Sequence, residues 1–172
     1  TTVDTSLKAA ETGHLVLSSI HTSDVQSTIN RLVSFFPAEE QLQVRARLAE
    51  NLAAIVSLRL LPTKKQNSRV PAVEVMRSTR SIQECIKDPA KTGELSSFIA
   101  RGRGEMMQTF DQHLLDLLRA NKISVETALT AASNPTDFRT KLALEGGDPD
   151  AVDDEPTDKI EGPLEIDPDS RF

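Results

Sequence analysis

The sequence predicts an α/β fold in which a first half with few strands runs into an all-helical second half. Three observations predict it. A short apolar run, "HLVLSSI" (14–20), lies between Gly13 and His21-Thr22 and is followed at once by a helix-capping pattern. Two β-prone pieces, "SLRLLP" (57–62) and "RVPAVEVMR" (69–77), flank a polar linker. Everything from residue 78 to 144 has helical spacing punctuated by "DP", "TG", "GRG", "NK" and "NP".

Taken in order, the run 14–20 has the pattern of a strand buried on both faces of a parallel sheet, because its apolar residues are largely uninterrupted. Ser23 or Asp24 caps the next turn, and Val25, Ile29, Leu32 and Val33 then share one helical stripe that stops at "FFP". After Pro37, residues 38–56 carry Leu42, Ala46, Ala49, Leu52, Ala53 and Val56 at three- and four-residue spacing. With Glu39 and Glu40 near the positive helix end, this predicts one long amphipathic helix. The β-prone pieces around "TKKQNS" predict a hairpin, or two strands joined by a mobile loop. Short helices are expected near 80–88, 94–101, 108–120, 124–132 and 136–143. An α/β first half feeding helices is the plan of the rear of a nucleotide-type sheet domain with a helical cap.

The net charge of −6 hides two unlike regions. From Glu145 onward eleven acidic residues face only Lys159 and Arg171, so the first 144 residues carry +3. That tail (145–172) holds four of the nine prolines and no apolar period, and too little burial is available to offset its ordering entropy; it is expected to be disordered. No apolar run approaches the ~20 residues of a membrane span, and the N-terminus lacks a basic-then-apolar signal layout, so a cytoplasmic protein without membrane insertion is expected. The single cysteine, Cys85, has no internal partner and is read as packing. Thr1 stands where an initiator methionine is expected, which points to a fragment or a processed product.

Candidate chemistry centres on the histidines. His14 and His21 are seven residues apart and would face opposite sides of an unbroken strand, and no other residues have metal-ligand spacing, so no metal site is expected. His21 admits two readings. It is a histidine bonded to nearby backbone at a strand end, or, with Thr22, a phosphate-facing donor beyond the carboxyl end of a strand, just ahead of a helix N-terminus suited to an anion. There is no GxxxxGK followed by Ser or Thr, and "RGRGEMM" (101–107) lacks the third glycine of a dinucleotide loop, so these residues are not expected to hydrolyse nucleotide unaided. His113 lies beside the Phe110, Leu114, Leu117 and Leu118 stripe and is read as a boundary residue. No nucleophile sits in an elbow such as GxSxG. A mildly basic folded part whose aromatics are all phenylalanine argues against nucleic-acid binding.

"AAETGHLVLSSIHTSD" (9–24), "TINRLVSFFPAEEQLQVRARLAENLAAIVSLRLLP" (28–62), "AVEVMR" (72–77) and "MQTFDQHLLDLL" (107–118) together resemble the C-terminal half of the type IV pilus retraction motors, the PilT-like branch of the secretion ATPases. The resemblance runs from about Val3 to Leu144. It implies that residues 1–77 are the rear part of a RecA-like P-loop ATPase core, 78–144 a helical C-terminal subdomain and 145–172 an appended acidic tail. It makes "TGHL...HT" a His box, with His21 approaching the terminal phosphate of ATP and His14 in support; Thr22 is a weaker nucleotide contact. The resemblance also implies ATP and Mg2+ as cofactors, a hexameric homo-oligomer and a pilus platform protein of the inner membrane as partner. The family's "AIRNLIRE" helix becomes "SIQECIKD" (81–88), with Gln83 and Glu84 in place of arginine and asparagine. That leaves a retraction accessory paralogue or a pilus-assembly or type II secretion ATPase as alternatives, and a non-enzymatic oligomerisation module as the alternative class.

Overall fold

The computed structural model describes residues 2–65, 67–145 and 147–148; the tail beyond them, read as disordered, lies outside the described residues. In chain order the elements are α1 (Thr2–Glu11), α2 (Val25–Val33), α3 (Gln41–Asn51), β1 (Ala54–Pro62), β2 (Arg69–Arg77), α4 (Arg80–Lys87), α5 (Leu95–Arg101), α6 (Phe110–Arg119), α7 (Val125–Ala131) and α8 (Pro135–Leu144), with short 3-10 turns at Ala38–Glu40, Pro89–Glu94 and Gly102–Glu105. Five helix starts are fixed by a side chain that accepts an orphan amide: Asp24, Thr79, Thr109, Ser124 and Asn134. Each such cap contributes about 1 kcal/mol. At α6 the cap is reciprocal, because Gln112 accepts from the Thr109 amide while Thr109 Oγ1 accepts from that of Gln112.

β1 and β2 pair antiparallel from Ala54↔Arg77 to Pro62↔Arg69. One face of this hairpin is packed: Ile55, Ser57, Leu61, Ala72, Glu74 and Met76 are buried. The other carries Val56, Leu58 and Leu60, which are 64%, 60% and 57% exposed, opposite Val75, Val73 and Pro71. Gln108 adds a single bridge to β2, exchanging both backbone bonds with Val75 and donating its side-chain amide to the Val73 carbonyl. The packed face feeds two cores. Ile55 and Met76 join Val25, Ile29, Leu48, Ile82, Ile86 and Ile99 in the first, and Leu61 and Ala72 join Phe110, Leu114, Ile123 and Phe138 in the second. The hairpin is thus the spine between α1–α5 and α6–α8.

The later helices follow the sequence expectation closely, and so does the hairpin. Two expectations fail. Residues 14–20 form no strand, and Leu15 and Leu17 are 86% and 87% exposed. A strand exists only where a neighbour accepts its ladder bonds, and the two-stranded sheet among the described residues is closed by β1 and β2 alone. The long helix over 38–56 is also wrong at its C-terminal end: α3 stops at Asn51, and Ala54 to Val56 belong to β1. The α3 residues that are buried are Val44, Arg45, Leu48 and Ala49, while Leu42 is 67% exposed. From Ile55 the burial period is two, and nine residues of ladder outweigh the weak helical preference of an Ala-Ala-Ile-Val stretch.

Candidate functional site

The loop between α1 and α2 holds the three residues that the sequence nominated for a nucleotide: His14, His21 and Thr22. α1 ends where Gly13 enters the left-handed region at φ 87°, a conformation that strains any residue with a Cβ. The Gly13 and His14 amides close that turn on the Ala10 and Ala9 carbonyls. His14 is therefore a helix-end residue. Its Nδ1 lies 3.0 Å from Thr12 Oγ1 on exposed surface. His21 follows in irregular, exposed backbone, and its ring makes no hydrogen bond or ion pair among the described residues.

Thr22 has a different disposition. Thr28 Oγ1 donates to the Asp24 carbonyl at 2.8 Å, so the proton in its 2.7 Å contact with Thr22 Oγ1 is Thr22's own. Thr22 is left presenting lone pairs, the wrong polarity for a phosphate oxygen while that bond lasts.

At the helix N-terminus that the sequence offered to an anion, the first and third amides are already taken. Asp24 Oδ1 accepts the Ser27 amide at 2.7 Å, its Oδ2 takes the Ser23 hydroxyl at 2.7 Å, and Glu74 Oε2 from β2 accepts the Val25 amide at 2.8 Å. Burial pushes the Glu74 carboxyl above its ordinary 4.5; the Val25 amide lowers it, the charge of Asp24 raises it and that of Arg59 lowers it. Burial acts on Asp24 in the same sense, but the Ser23 hydroxyl and the Ser27 amide outweigh it and hold that carboxyl below 3.8. A cleft of about 340 Å³ opens beside this end, walled by Asp24, Ser27, Asn30, Glu74, Ser96 and Ser133. Two carboxylates in its wall make it unsuited to a nucleotide's phosphates.

The remaining nominated groups serve the fold. His113 Nδ1 accepts the Val73 amide at 2.8 Å, which fixes the neutral tautomer with its proton on Nε2 and ties α6 to β2. Arg103 of the glycine-rich stretch pairs with Asp116 at 2.7 Å, and Arg101 lies over the Phe98 ring at 4.9 Å. Cys85 is buried in the first core, and burial raises its thiol, so it is not a poised nucleophile. Among the described residues no three His, Cys, Asp or Glu side chains are grouped to hold a metal ion. Sequence reasoning missed Arg45, Arg59 and Glu74. The available signal was parity: Glu74 is the charged residue at the buried phase of β2, between Ala72 and Met76.

Residues 1–146 match the family described as type II/IV secretion system protein. The chain belongs to that family. Within this secretion family it is similar to the type IV pilus retraction ATPase PilT of Pseudomonas aeruginosa, with 39% identity over 137 residues, 80% of this chain and 39% of that protein. It is similar also to the type IV pilus ATPase PilU of the same organism, with 35% identity over 150 residues, 87% of this chain and 39% of that one. The crystal structure of the pilus retraction motor PilT with bound ADP matches at a TM-score of 0.69 and 37% identity, over 79% of this chain and 37% of that one. The α/β fold is therefore that of part of a PilT-like secretion ATPase. The chain spans less than two-fifths of the length of these relatives.

Proposed function

We propose that this secretion-family chain is the His-box part of an ATP-hydrolysing motor for type IV pilus retraction, working as one subunit of a hexameric ring at the cytoplasmic base of the pilus, against a platform protein of the inner membrane. On this reading residues 1–77 complete an ATPase core, 78–144 form its helical subdomain, and 145–172 are a solvated tail. The observation that carries the reading is the state of His21: an exposed imidazole with no bond to any described residue, directly ahead of a helix whose first and third amides are already taken.

Bound ATP with Mg2+ supplies the terminal phosphate that is transferred to water. Towards that group the residues present fit in one respect: the His21 ring can donate an N–H to an anionic oxygen, and it has no competing partner to surrender first. The Val25 and Ser27 amides of α2 cannot serve, because Glu74 and Asp24 hold them. A donor of this kind acts on charge that grows in the transition state, so it affects kcat more than binding. His14 supports the site from the end of α1, where it helps fix the start of the loop. The 172-residue polypeptide contains no phosphate-loop motif and on its own is expected to bind ATP weakly and not to turn it over.

The test is a chimaera that joins these residues to the preceding part of a PilT protein. Its ATPase should fall about a hundredfold in kcat on His21→Ala, with nucleotide affinity nearly unchanged. Unchanged kcat would refute the assignment. Restoration of twitching in a strain lacking its retraction ATPase, rather than one lacking the accessory or assembly ATPase, decides among the three pilus roles. A second reading, a non-enzymatic oligomerisation module, is favoured by the exposed apolar face of Val56, Leu58 and Leu60. A chimaera that forms rings but hydrolyses no ATP would support it.

A further inference from the structure

We propose that Arg59 and Glu74 are positioning residues: a two-armed clamp that sets the loop after His21 on the hairpin and ties it to the C-terminal helices. Its bearing on catalysis rests on the phosphate-facing reading of His21. Both arms rise from the packed face of the hairpin, because Arg59 pairs with Ala72 and Ser57 with Glu74, which makes them diagonal neighbours. Glu74 Oε2 accepts the Val25 amide at 2.8 Å. Arg59 donates to the Ser23 carbonyl from Nη2 at 3.2 Å and from Nε at 3.4 Å. The two backbone groups flanking Asp24 are thus gripped from β1 and from β2, two and four residues after His21. The other bonds that hold this part of the loop, from Thr22 to Thr28 and from Asp24 to Ser27, run only to α2, and residues 14–22 have no ladder, with Leu15 and Leu17 exposed.

The same guanidinium reaches the other core. Arg59 Nη1 donates to the Ala131 carbonyl at the end of α7, 2.9 Å away, and its Cζ lies over the Phe110 ring on α6, 4.0 Å from the ring centre. Its fork is rigid, so the three contacts are geometrically coupled. A displacement of α7 relative to the hairpin must break the bond to Ala131 or carry Ser23 with it. The charges also suit each other: a cation offsets the two carboxylates, Asp24 and Glu74, that crowd one helix end. Lysine in place of Arg59 would keep the charge but could not span both carbonyls while stacking on Phe110.

The test is hydrogen exchange by mass spectrometry on the 172-residue chain, reading peptides that cover 20–27, 130–136 and, as a control, α3. Arg59→Lys should speed exchange about tenfold in the first two peptides, and Glu74→Leu should do so in the first, with α3 unchanged. Glu74→Gln keeps an acceptor oxygen for Val25 and should stay within about threefold of the parent. Unchanged exchange at 20–27 in both Arg59→Lys and Glu74→Leu, or equal acceleration in α3, would overturn the clamp. In the chimaera, Arg59→Lys should lower kcat and leave KM for ATP nearly unchanged. If His21→Ala lowers kcat while a loop-loosening Arg59→Lys does not, positioning is refuted. If the loop loosens and neither change affects kcat, the clamp stands and the phosphate-facing role of His21 falls.

Discussion

Replacing Arg45 by methionine should destabilise the chain by about 2–4 kcal/mol. Arg45 is a buried cation on α3 whose bonds are all to neutral acceptors. Nη1 donates to the Ile86 carbonyl at 3.2 Å and to Thr92 Oγ1 at 3.1 Å, and Nη2 to Asn30 Oδ1 at 3.3 Å. Ile86 lies in the last turn of α4, where carbonyls lack intrahelical donors and a positive charge is favourable, so the guanidinium acts as that helix's C-terminal cap. Burial lowers its pKa, with Asp88 opposing, so the fold pays a desolvation penalty to keep the charge. Whether the bonds outweigh that penalty decides the sign of the mutation.

Removing a buried ion together with all its partners is often neutral, but here the partners stay. Methionine fills the volume and leaves the Ile86 carbonyl and Thr92 hydroxyl buried with one donor fewer, each costing about 1–2 kcal/mol, and the partly buried Asn30 bond costs less. In a chain of this length the net loss lowers Tm by about 5–15 °C. Urea denaturation with a shared m-value is the assay, with Arg45→Lys expected to fall between parent and methionine because an ammonium satisfies fewer of the three acceptors. An Arg45→Met variant within about 0.5 kcal/mol of the parent would refute the reasoning, since desolvation would then cancel the bonds.

The raised carboxyl of Glu74 contributes stability that is full below its unfolded value of 4.5 and is lost as pH rises through its folded value; the parent should therefore lose stability relative to Glu74→Gln as pH rises above 4.5, measured by denaturant titration at each pH. Asp24 has the opposite sign, and the advantage of the parent over Asp24→Asn should disappear as pH falls below 3.8. His113→Leu strands the Val73 amide and should cost about 1–3 kcal/mol, whereas His113→Asn, which can offer an acceptor, should recover part of it; equal losses in urea would show that the bond is idle. The exposed face of Val56, Leu58 and Leu60, with Leu15 and Leu17, should bind an apolar-surface dye and drive association at tens of micromolar in light scattering. A monodisperse, dye-silent monomer would contradict that.

What the sequence made legible was local. Asp24 caps α2, and α4 to α8 follow spacing and punctuation visible in the letters, because a helix start and its stripe lie within one or two turns. The hairpin was legible for the same reason, as pairing between 62 and 69 needs only a short turn. Residues 14–20 failed because strand formation is not a property of one segment. "HLVLSSI" has the composition of a buried strand, yet Leu15 and Leu17 face solvent where no described strand lies beside them. The end of α3 failed for a related reason: Ala54 to Val56 continue a helical stripe on paper, and only the ladder to Val75, Met76 and Arg77 makes them extended.

The candidate site divides along the same line. His14, His21 and Thr22 were nominated because they stand in a recognisable local string, and the resemblance supplied a proposed role for each. The partners that decide what the string can do come from far along the chain: Glu74 reaches Val25 across 49 residues, and Arg59 reaches Ser23 across 36 and Ala131 across 72. They were nevertheless marked, though not by any motif. Arg45, Arg59 and Glu74 each interrupt an apolar phase with a charge, and a charge kept at a buried position must be satisfied by something specific. In this chain the satisfied groups are the end of α4, a loop carbonyl and the first amide of α2, all parts of the backbone that the apolar pattern cannot hold. The charged interruptions of a buried face were therefore the better guide to how the His21 loop is fixed, and the uninterrupted apolar run before it was the poorer one.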